Sequence, residues 1–434
     1  MHIEALYEIF LQCSKVFTDS RQSVPNGLFI ALRGDHFDGN KYAVNALEQG
    51  ASFAVVDDPA IVQGDRYILV ENTLTTLQLL ARHHRRQFII PVIAITGSNG
   101  KTTTKELISS VLTTHYKVHA TRGNLNNHIG VPLTLLSMPL QTEVCVVEMG
   151  ANHQGEIDTL CHIAEPTHGL ITNIGKAHLE GFGGIEGVKK GKGELFQYLA
   201  KTNGTVFINK DEPFLEELAQ DVKKKIFFIQ QEEPNPNYSH LEVKLLAVRP
   251  FIKVAFLIET GQLLEVQSNL IGAYNFNNIK TAVSLGKYFK VPGEKIKAAI
   301  ESYIPANNRS QIIKRNSNTF VLDAYNANPS SMQLALSNLR EMTAPHKIAI
   351  LGDMLELGDY AAEAHETIAR LATEQQLHQV VLVGPLFKPI AKQLSIRHFS
   401  DTKKLKTWFL KQHFINSLIL IKGSRGIGLE RLLD

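Results

Sequence analysis

PVIAITGSNGKTTTKE, residues Pro91 to Glu106, is the stretch whose reading decides the fold. Val92 to Ile95 form an apolar, strand-like run, Thr102 to Leu112 carries the spacing of a helix, and a glycine-containing turn joins them. Gly97 and Gly100 let the backbone come close to phosphate oxygens. The amides from Ser98 and Asn99 through Thr103 would face those oxygens from a helix N-terminus, and Lys101 adds a point charge. Thr102 follows the lysine, where a hydroxyl can reach magnesium. The loop is a variant, because the first glycine of G-x-x-x-x-G-K-[ST] is replaced here by Ile95. An ordinary glycine turn with a surface lysine would share these letters, but strand, turn and helix in that order is the context phosphate binding requires.

Outward from this loop, length sets the architecture. The 434 residues exceed what one hydrophobic core supports, and three domains are expected, over residues 1–88, 89–305 and 306–434. A hydrophobic fraction of 44% with 20% charged residues describes an α/β enzyme and excludes a disordered or fibrous chain. The net charge of +3 gives no clustered basic face, so neither nucleic acid nor a membrane surface is expected as partner. Cys13, Cys145 and Cys161 lack metal-type spacing and fit a reduced, cytoplasmic setting. The N-terminal MHIEALYEIF has no basic segment before an apolar run, and no apolar stretch approaches the length of a membrane helix.

The first unit reads as a small α/β domain with strands over Leu28–Leu32, Ser52–Asp57 and Ile68–Glu71 and a helix over Lys41–Glu48. Ser20 and Arg21 lie beside a strand, where turn chemistry and ligand binding are equally good readings. The central unit alternates strands at Val92–Thr96, Val144–Glu148, Gly169–Thr172 and Val206–Asn209 with helices, which implies a mostly parallel P-loop sheet with its binding loops at the carboxyl ends. Glu148 closes its strand where a carboxylate can help hold magnesium. His178 follows the next strand. Asn127 lies in a polar run that suits phosphate or a capped turn. By spacing alone Lys192 belongs to a solvated basic helix face, and Asn275 and Asn278 are ordinary asparagines of a helix start. Leu241–Leu270 alternates like antiparallel strands added at the sheet edge. The third unit reads as a doubly wound, Rossmann-like sheet with strands at Phe320–Asp323, Ile348–Leu351, Val380–Val383 and Leu418–Ile421. Each ends in a polar loop, and four such loops on one edge make a binding cleft.

TGSNGKTT, GNLNNHIGVPLT, EMGANHQGEI, NIGKAHLEGFG, KGKGELF, GAYNFNN, DAYNANPSS, LGDMLELG and KGSRGIGLE occur in an order that resembles the Mur ligases of peptidoglycan synthesis over nearly the whole chain. The last three look like the member that adds D-alanyl-D-alanine. The resemblance implies three domains that hold, in turn, a UDP-sugar, ATP, and the amino substrate together with ATP. It implies the substrates UDP-N-acetylmuramoyl-tripeptide and D-alanyl-D-alanine, an ADP-forming ligation through an acyl phosphate, and a monomer.

Residue by residue, it implies that Lys101 and its loop grip the ATP phosphates, with Thr102 and Glu148 on one Mg²⁺ and His178 at a second. Lys192 matches a lysine that becomes N6-carboxylated, which replaces the solvated-face reading: beside Mg²⁺ an ammonium is repelled, whereas a carbamate supplies an anionic oxygen. Asn127 matches a phosphate contact, Asn275 and Asn278 an adenine-contacting segment, and Arg309 and Asp323 residues that reach the nucleotide. Tyr325, Asn326 and Asn328 fall to the amino substrate, and Ser20 and Arg21 to the UDP-sugar. Asn40 stands where the family's first-domain motif has histidine, and Ala324 where serine is commoner. The same loop and AHLE region occur in folylpolyglutamate synthetases, which stay open as an alternative, as do another Mur ligase and a silent nucleotide-binding sensor.

Overall fold

A computed structural model describes residues 2–22, 24–231 and 241–434, apart from the Gln231 side chain; Met1, the first residue of the N-terminal reading, lies outside them. The organising strand is Val92–Thr96, buried along its whole length as a parallel strand covered on both faces must be. It pairs in parallel with Val144–Glu148 on one side and His168–Ile171 on the other. The three strands therefore release residues 97–100, Glu148 and the segment after Ile171 along one sheet edge, at the crevice where α/β sheets bind ligands.

Among the described residues, nine strands make up this central sheet. The expected antiparallel addition is present: Glu242–Ala247, Lys253–Leu257 and Leu263–Gln267 pair antiparallel to one another. They continue the main sheet through Lys224–Gln231, a strand absent from the sequence reading, which pairs in parallel with both neighbours.

The first unit is a four-stranded parallel sheet in the order Val16–Phe17, Leu28–Ile30, Phe53–Val56, Tyr67–Leu69. The expected helix over Lys41–Glu48 is a 3₁₀ turn, Gly39–Tyr42, running into Ala43–Glu48. Helix Thr73–Arg85 carries the unit onto the central one: Arg82 and Arg86 both reach the Glu165 carboxylate, at 2.8 and 2.6 Å. Buried Arg85 donates to the carbonyls of Ala164 and Glu165. Partly buried paired charges of this kind define an orientation more than they add stability.

The third unit is a six-stranded sheet in the order Gln311–Arg315, Asn318–Asp323, Ser417–Lys422, His346–Gly352, Gln379–Val383, Arg397–Phe399. All neighbours are parallel except the first pair, an edge hairpin that the sequence reading did not include. Asp323, Gly352, Val383 and Lys422 thus end four adjacent parallel strands on one edge. Among the described residues, no helix is long and apolar enough to cross a membrane.

Candidate active site

Helix Lys101–Thr113 starts with no side chain capping it, and its preceding residue, Gly100, is left-handed at φ 79°. Its first-turn amides are therefore open to an anion, and the helix dipole favours one there. The amides of Ser98 and Asn99, expected to face phosphate, instead donate to the backbone carbonyl and side-chain oxygen of Asn173. This is a correction: the two bonds fix the loop, and the anion-facing amides narrow to those from Gly100 onward. Thr172 Oγ1 adds a 2.6 Å bond to the Asn99 carbonyl. Lys101 folds back, its Nζ donating to the Gly97 carbonyl at 2.7 Å. Burial holds its ammonium below the usual lysine range, against the pull of Glu148.

Glu148 sits beneath this loop, 1% exposed. Its Oε1 accepts from Thr102 Oγ1 at 3.1 Å and from Asn126 Nδ2 at 2.8 Å. Among the described residues its Oε2 is buried with no hydrogen-bond partner, and Lys105 Nζ lies 3.9 Å away. An orphaned anionic oxygen beside a threonine hydroxyl and an open helix terminus suits a hard cation bridging to phosphate. Asn126, one of the neighbours that the sequence reading kept beside Asn127 because this loop varies in length, is the asparagine that holds Glu148. Asn127 Oδ1 instead accepts from the amides of Ile129 and Gly130 and so shapes the start of the next helix.

Lys192 is not on a solvated face; it is 1% exposed, with its Nζ donating to the Ala151 carbonyl at 3.0 Å and lying 5.0 Å from the Phe182 ring centre. Burial, and then the charge of Lys101, push its ammonium well below the usual range, which favours the neutral amine. His178 has left-handed backbone at φ 52°, and its Nδ1 lies 2.5 Å from Glu356 Oε2 of the third unit, too oblique for a formed hydrogen bond. Among the described residues, no three His, Cys, Asp or Glu side chains stand together as a ready metal cluster.

A cleft of about 1040 Å³ runs between the central and third units. It is lined by Ser98, Asn99, Gly100, Lys101, Thr102, Thr103, Asn127, Glu148 and His178 from one side and by Arg309, Asp323, Tyr325, Asn326 and Asn328 from the other. Asn275 and Asn278 also line it, but their amides work internally: Asn275 donates to the Ile271 carbonyl, and Asn278 bridges Asn275 and Thr104. Asp323 receives Lys422 Nζ at 2.6 Å, and Arg309 stacks 3.7 Å above the Tyr325 ring with its Nε buried and unpaired. Asn328 caps helix Pro329–Glu341 and donates to Asn99 Oδ1 at 2.8 Å, so the third unit touches the phosphate-type loop directly.

Ser20 and Arg21 do not line this cleft. Arg21 is 88% exposed at its side chain and folds onto Asp19, which it holds down to about 2. Asn40 is buried, bonded to Asp38 and Asp57, and so has an internal role. Gly97 lies behind the cleft, its φ of 139° and its closeness to Thr172 leaving no room for a Cβ.

Three family models match in chain order: "Mur ligase family, catalytic domain" over residues 13–92, "Mur ligase middle domain" over 95–286 and "Mur ligase, glutamate ligase domain" over 308–425. The chain is 34% identical to the UDP-N-acetylmuramoyl-tripeptide–D-alanyl-D-alanine ligase of Bacillus subtilis (strain 168), covering 96% of this chain and 92% of the relative. It is 32% identical to the protein of that name from Escherichia coli (strain K12), with 96% and 92% covered. Among solved structures, MurF from Acinetobacter baumannii matches with a TM-score of 0.86 and 28% identity over 99% of this chain and 97% of that one. A MurF ligase from Thermotoga maritima in complex with ADP matches at 0.82 and 26%, over 98% and 97%.

Proposed function

The chain belongs to the Mur ligase family, and from that premise we propose that it joins D-alanyl-D-alanine to UDP-N-acetylmuramoyl-tripeptide at the expense of ATP. The products are ADP, phosphate and the UDP-muramoyl-pentapeptide precursor of peptidoglycan. One observation carries the reading: an uncapped helix start with a half-buried lysine opens into a cleft that a second unit closes from the opposite side.

In the first step a terminal carboxylate oxygen of the tripeptide attacks the γ-phosphorus, and ADP departs with the bonding electrons. The chain's own contribution is placement and charge: first-turn amides and Lys101 hold the phosphates, while Arg309 and the Lys422–Asp323 pair face them across the cleft. The dipeptide amine then attacks the acyl carbonyl, the C–N bond forms, the C–O bond to phosphate breaks, and phosphate leaves. Contact between Asn328 and Asn99 keeps the third unit over the loop, which excludes water from the acyl phosphate.

Thr102 and Glu148 would hold one magnesium ion, which supplies charge neutralisation among the phosphate oxygens when bound. A second ion would draw on His178 and on Lys192 as its carbamate; the buried, neutral-leaning amine of Lys192 is the form that reacts with carbon dioxide. Asn127 remains with the phosphates, and Asn275 and Asn278 support the adenine side. Tyr325, Asn326 and Asn328 belong to the amino substrate. In this reading residues 1–88 hold the UDP-sugar through the loop of Ser20 and Arg21, 89–305 the nucleotide, and 306–434 the amino substrate, in a cytoplasmic monomer.

ADP release measured with each substrate omitted in turn tests the proposal. Full turnover requires UDP-muramoyl-tripeptide and D-alanyl-D-alanine together. Turnover with a folate and glutamate, or with no acceptor dependence, contradicts it.

A further inference from the structure

Five carboxylates line the cleft: Glu148, Glu156, Glu212, Asp323 and Glu356. Four have internal duties. Glu148 is held by Thr102 and Asn126 at the cation position. Glu156 accepts from the amides of Asn152 and His153. Glu212 accepts from Asn277, and Asp323 from Lys422. Glu356 differs: its Oε2 faces His178, its side chain is 54% exposed, and its Oε1 has no hydrogen bond among the described residues.

Its position is unusual for a merely solvated glutamate. Glu356 adopts left-handed backbone at φ 64°, a conformation disfavoured for a residue that carries a side chain. His178, its partner on the other unit, is left-handed as well. Backbone strain on both sides of one contact is retained where the surroundings require that placement. Next to Glu356, Gly358 at φ 52° packs against the Glu180 side chain, so the loop 352–358 is seated on the 178–180 segment. Glu356 lines the same cleft as Lys101, and with Glu148 it pulls on that lysine's charge. Glu356 therefore stands near the lysine that grips the transferred phosphoryl group, on the side contributed by the third unit.

We infer that Glu356 is the binding group for the ammonium end of the incoming dipeptide, placing the amine beside the acyl phosphate. This rests on the ligase reading above and adds a residue to it. A dipeptide at neutral pH is a zwitterion whose amino end carries a positive charge, and the cleft near Lys101 is otherwise set up for anions. A carboxylate with one oxygen turned against His178 Nδ1 and the other open meets a primary ammonium from one side. The nitrogen reacts after losing a proton to solvent; its lone pair forms the C–N bond as phosphate leaves, and its second proton is lost from the resulting amide nitrogen.

The test is Glu356→Gln in the full-length enzyme, an isosteric change that removes the charge. KM for D-alanyl-D-alanine should rise about 10- to 100-fold, the range for one hydrogen bond to a charged group. Titration calorimetry with a non-hydrolysable ATP analogue should give an affinity within about twofold of the unaltered enzyme, a bound well inside a single hydrogen bond's contribution. Hydroxylamine, which reaches the acyl phosphate without an anchored ammonium, should trap it equally in both proteins, and Glu356→Asp should recover part of the loss. An unchanged KM for the dipeptide overturns the inference. So does a parallel fall in analogue affinity and hydroxylamine trapping, which would make Glu356 a closure contact. If the unaltered enzyme forms no hydroxamate from UDP-muramoyl-tripeptide, the ligase reading itself fails, and that result is separate.

Discussion

Gly100→Ala probes the loop most sharply, because the structure fixes both sources of its cost. Gly100 has φ 79°, and a Cβ there would lie 2.6 Å from Asn278 Oδ1. Left-handed backbone costs alanine about 1–2 kcal/mol. Displaced, Asn278 would lose its 3.0 Å bond from Thr104 and its 2.7 Å bond to Asn275, about 1 kcal/mol each. The total is roughly 3–4 kcal/mol, equivalent to a fall of about 6–15 °C in the melting of a unit this size. Affinity for a non-hydrolysable ATP analogue should fall at least about tenfold, since the shifted residue opens the anion-facing turn. Scanning calorimetry with and without the analogue reads both. Asn278→Ala removes the obstructing atom, so in the double variant Gly100→Ala should cost only its backbone part, a coupling of about 2 kcal/mol. A Gly100→Ala protein melting within about 2 °C of the original and binding the analogue unchanged would refute the reasoning.

Lys101→Met leaves the fold intact, since the lysine bonds only to loop carbonyls, and should lower ligation by roughly 10²–10³-fold in a steady-state assay. Lys192→Met should reduce ligation by about 10²-fold or more while changing stability by only about 1 kcal/mol, the worth of its single bond to Ala151; intact-protein mass measured in bicarbonate should show the carbon dioxide adduct on the unaltered chain alone. His168 is pushed down to about 4, first by burial and then by Lys224. Below the unfolded value of about 6.5 the unfolded chain takes a proton that the folded one refuses. This stabilisation is therefore complete above pH 6.5 and is lost as pH falls toward 4, by up to roughly 3 kcal/mol. His168→Phe should flatten that part of the dependence of melting temperature on pH.

The strand-loop-helix at Val92 was legible because a strand buried on both faces leaves a continuous apolar run, and its glycines have a steric reason to be there. The third unit's edge was legible from repetition, each strand closing on a polar loop. What escaped was short or polar: Val16–Phe17 is two residues long, and Gln311–Arg315 and Lys224–Gln231 mix charged and amide residues into strands whose identity comes from their neighbours. Side-chain roles were harder still. Neither Asn126 nor Asn127 differs in letter, yet one holds a buried carboxylate and the other shapes a helix start. Spacing alone placed Lys192 in solvent; the resemblance replaced that reading, and packing against Phe182 and Ala151 gives the physical reason.

Heavy-oxygen labelling of the tripeptide's terminal carboxylate addresses the central claim directly. If that carboxylate takes the terminal phosphoryl group from the Lys101 loop, mass analysis after one turnover will find one labelled oxygen in the released phosphate. Phosphate free of label, with the pentapeptide product formed, would contradict it.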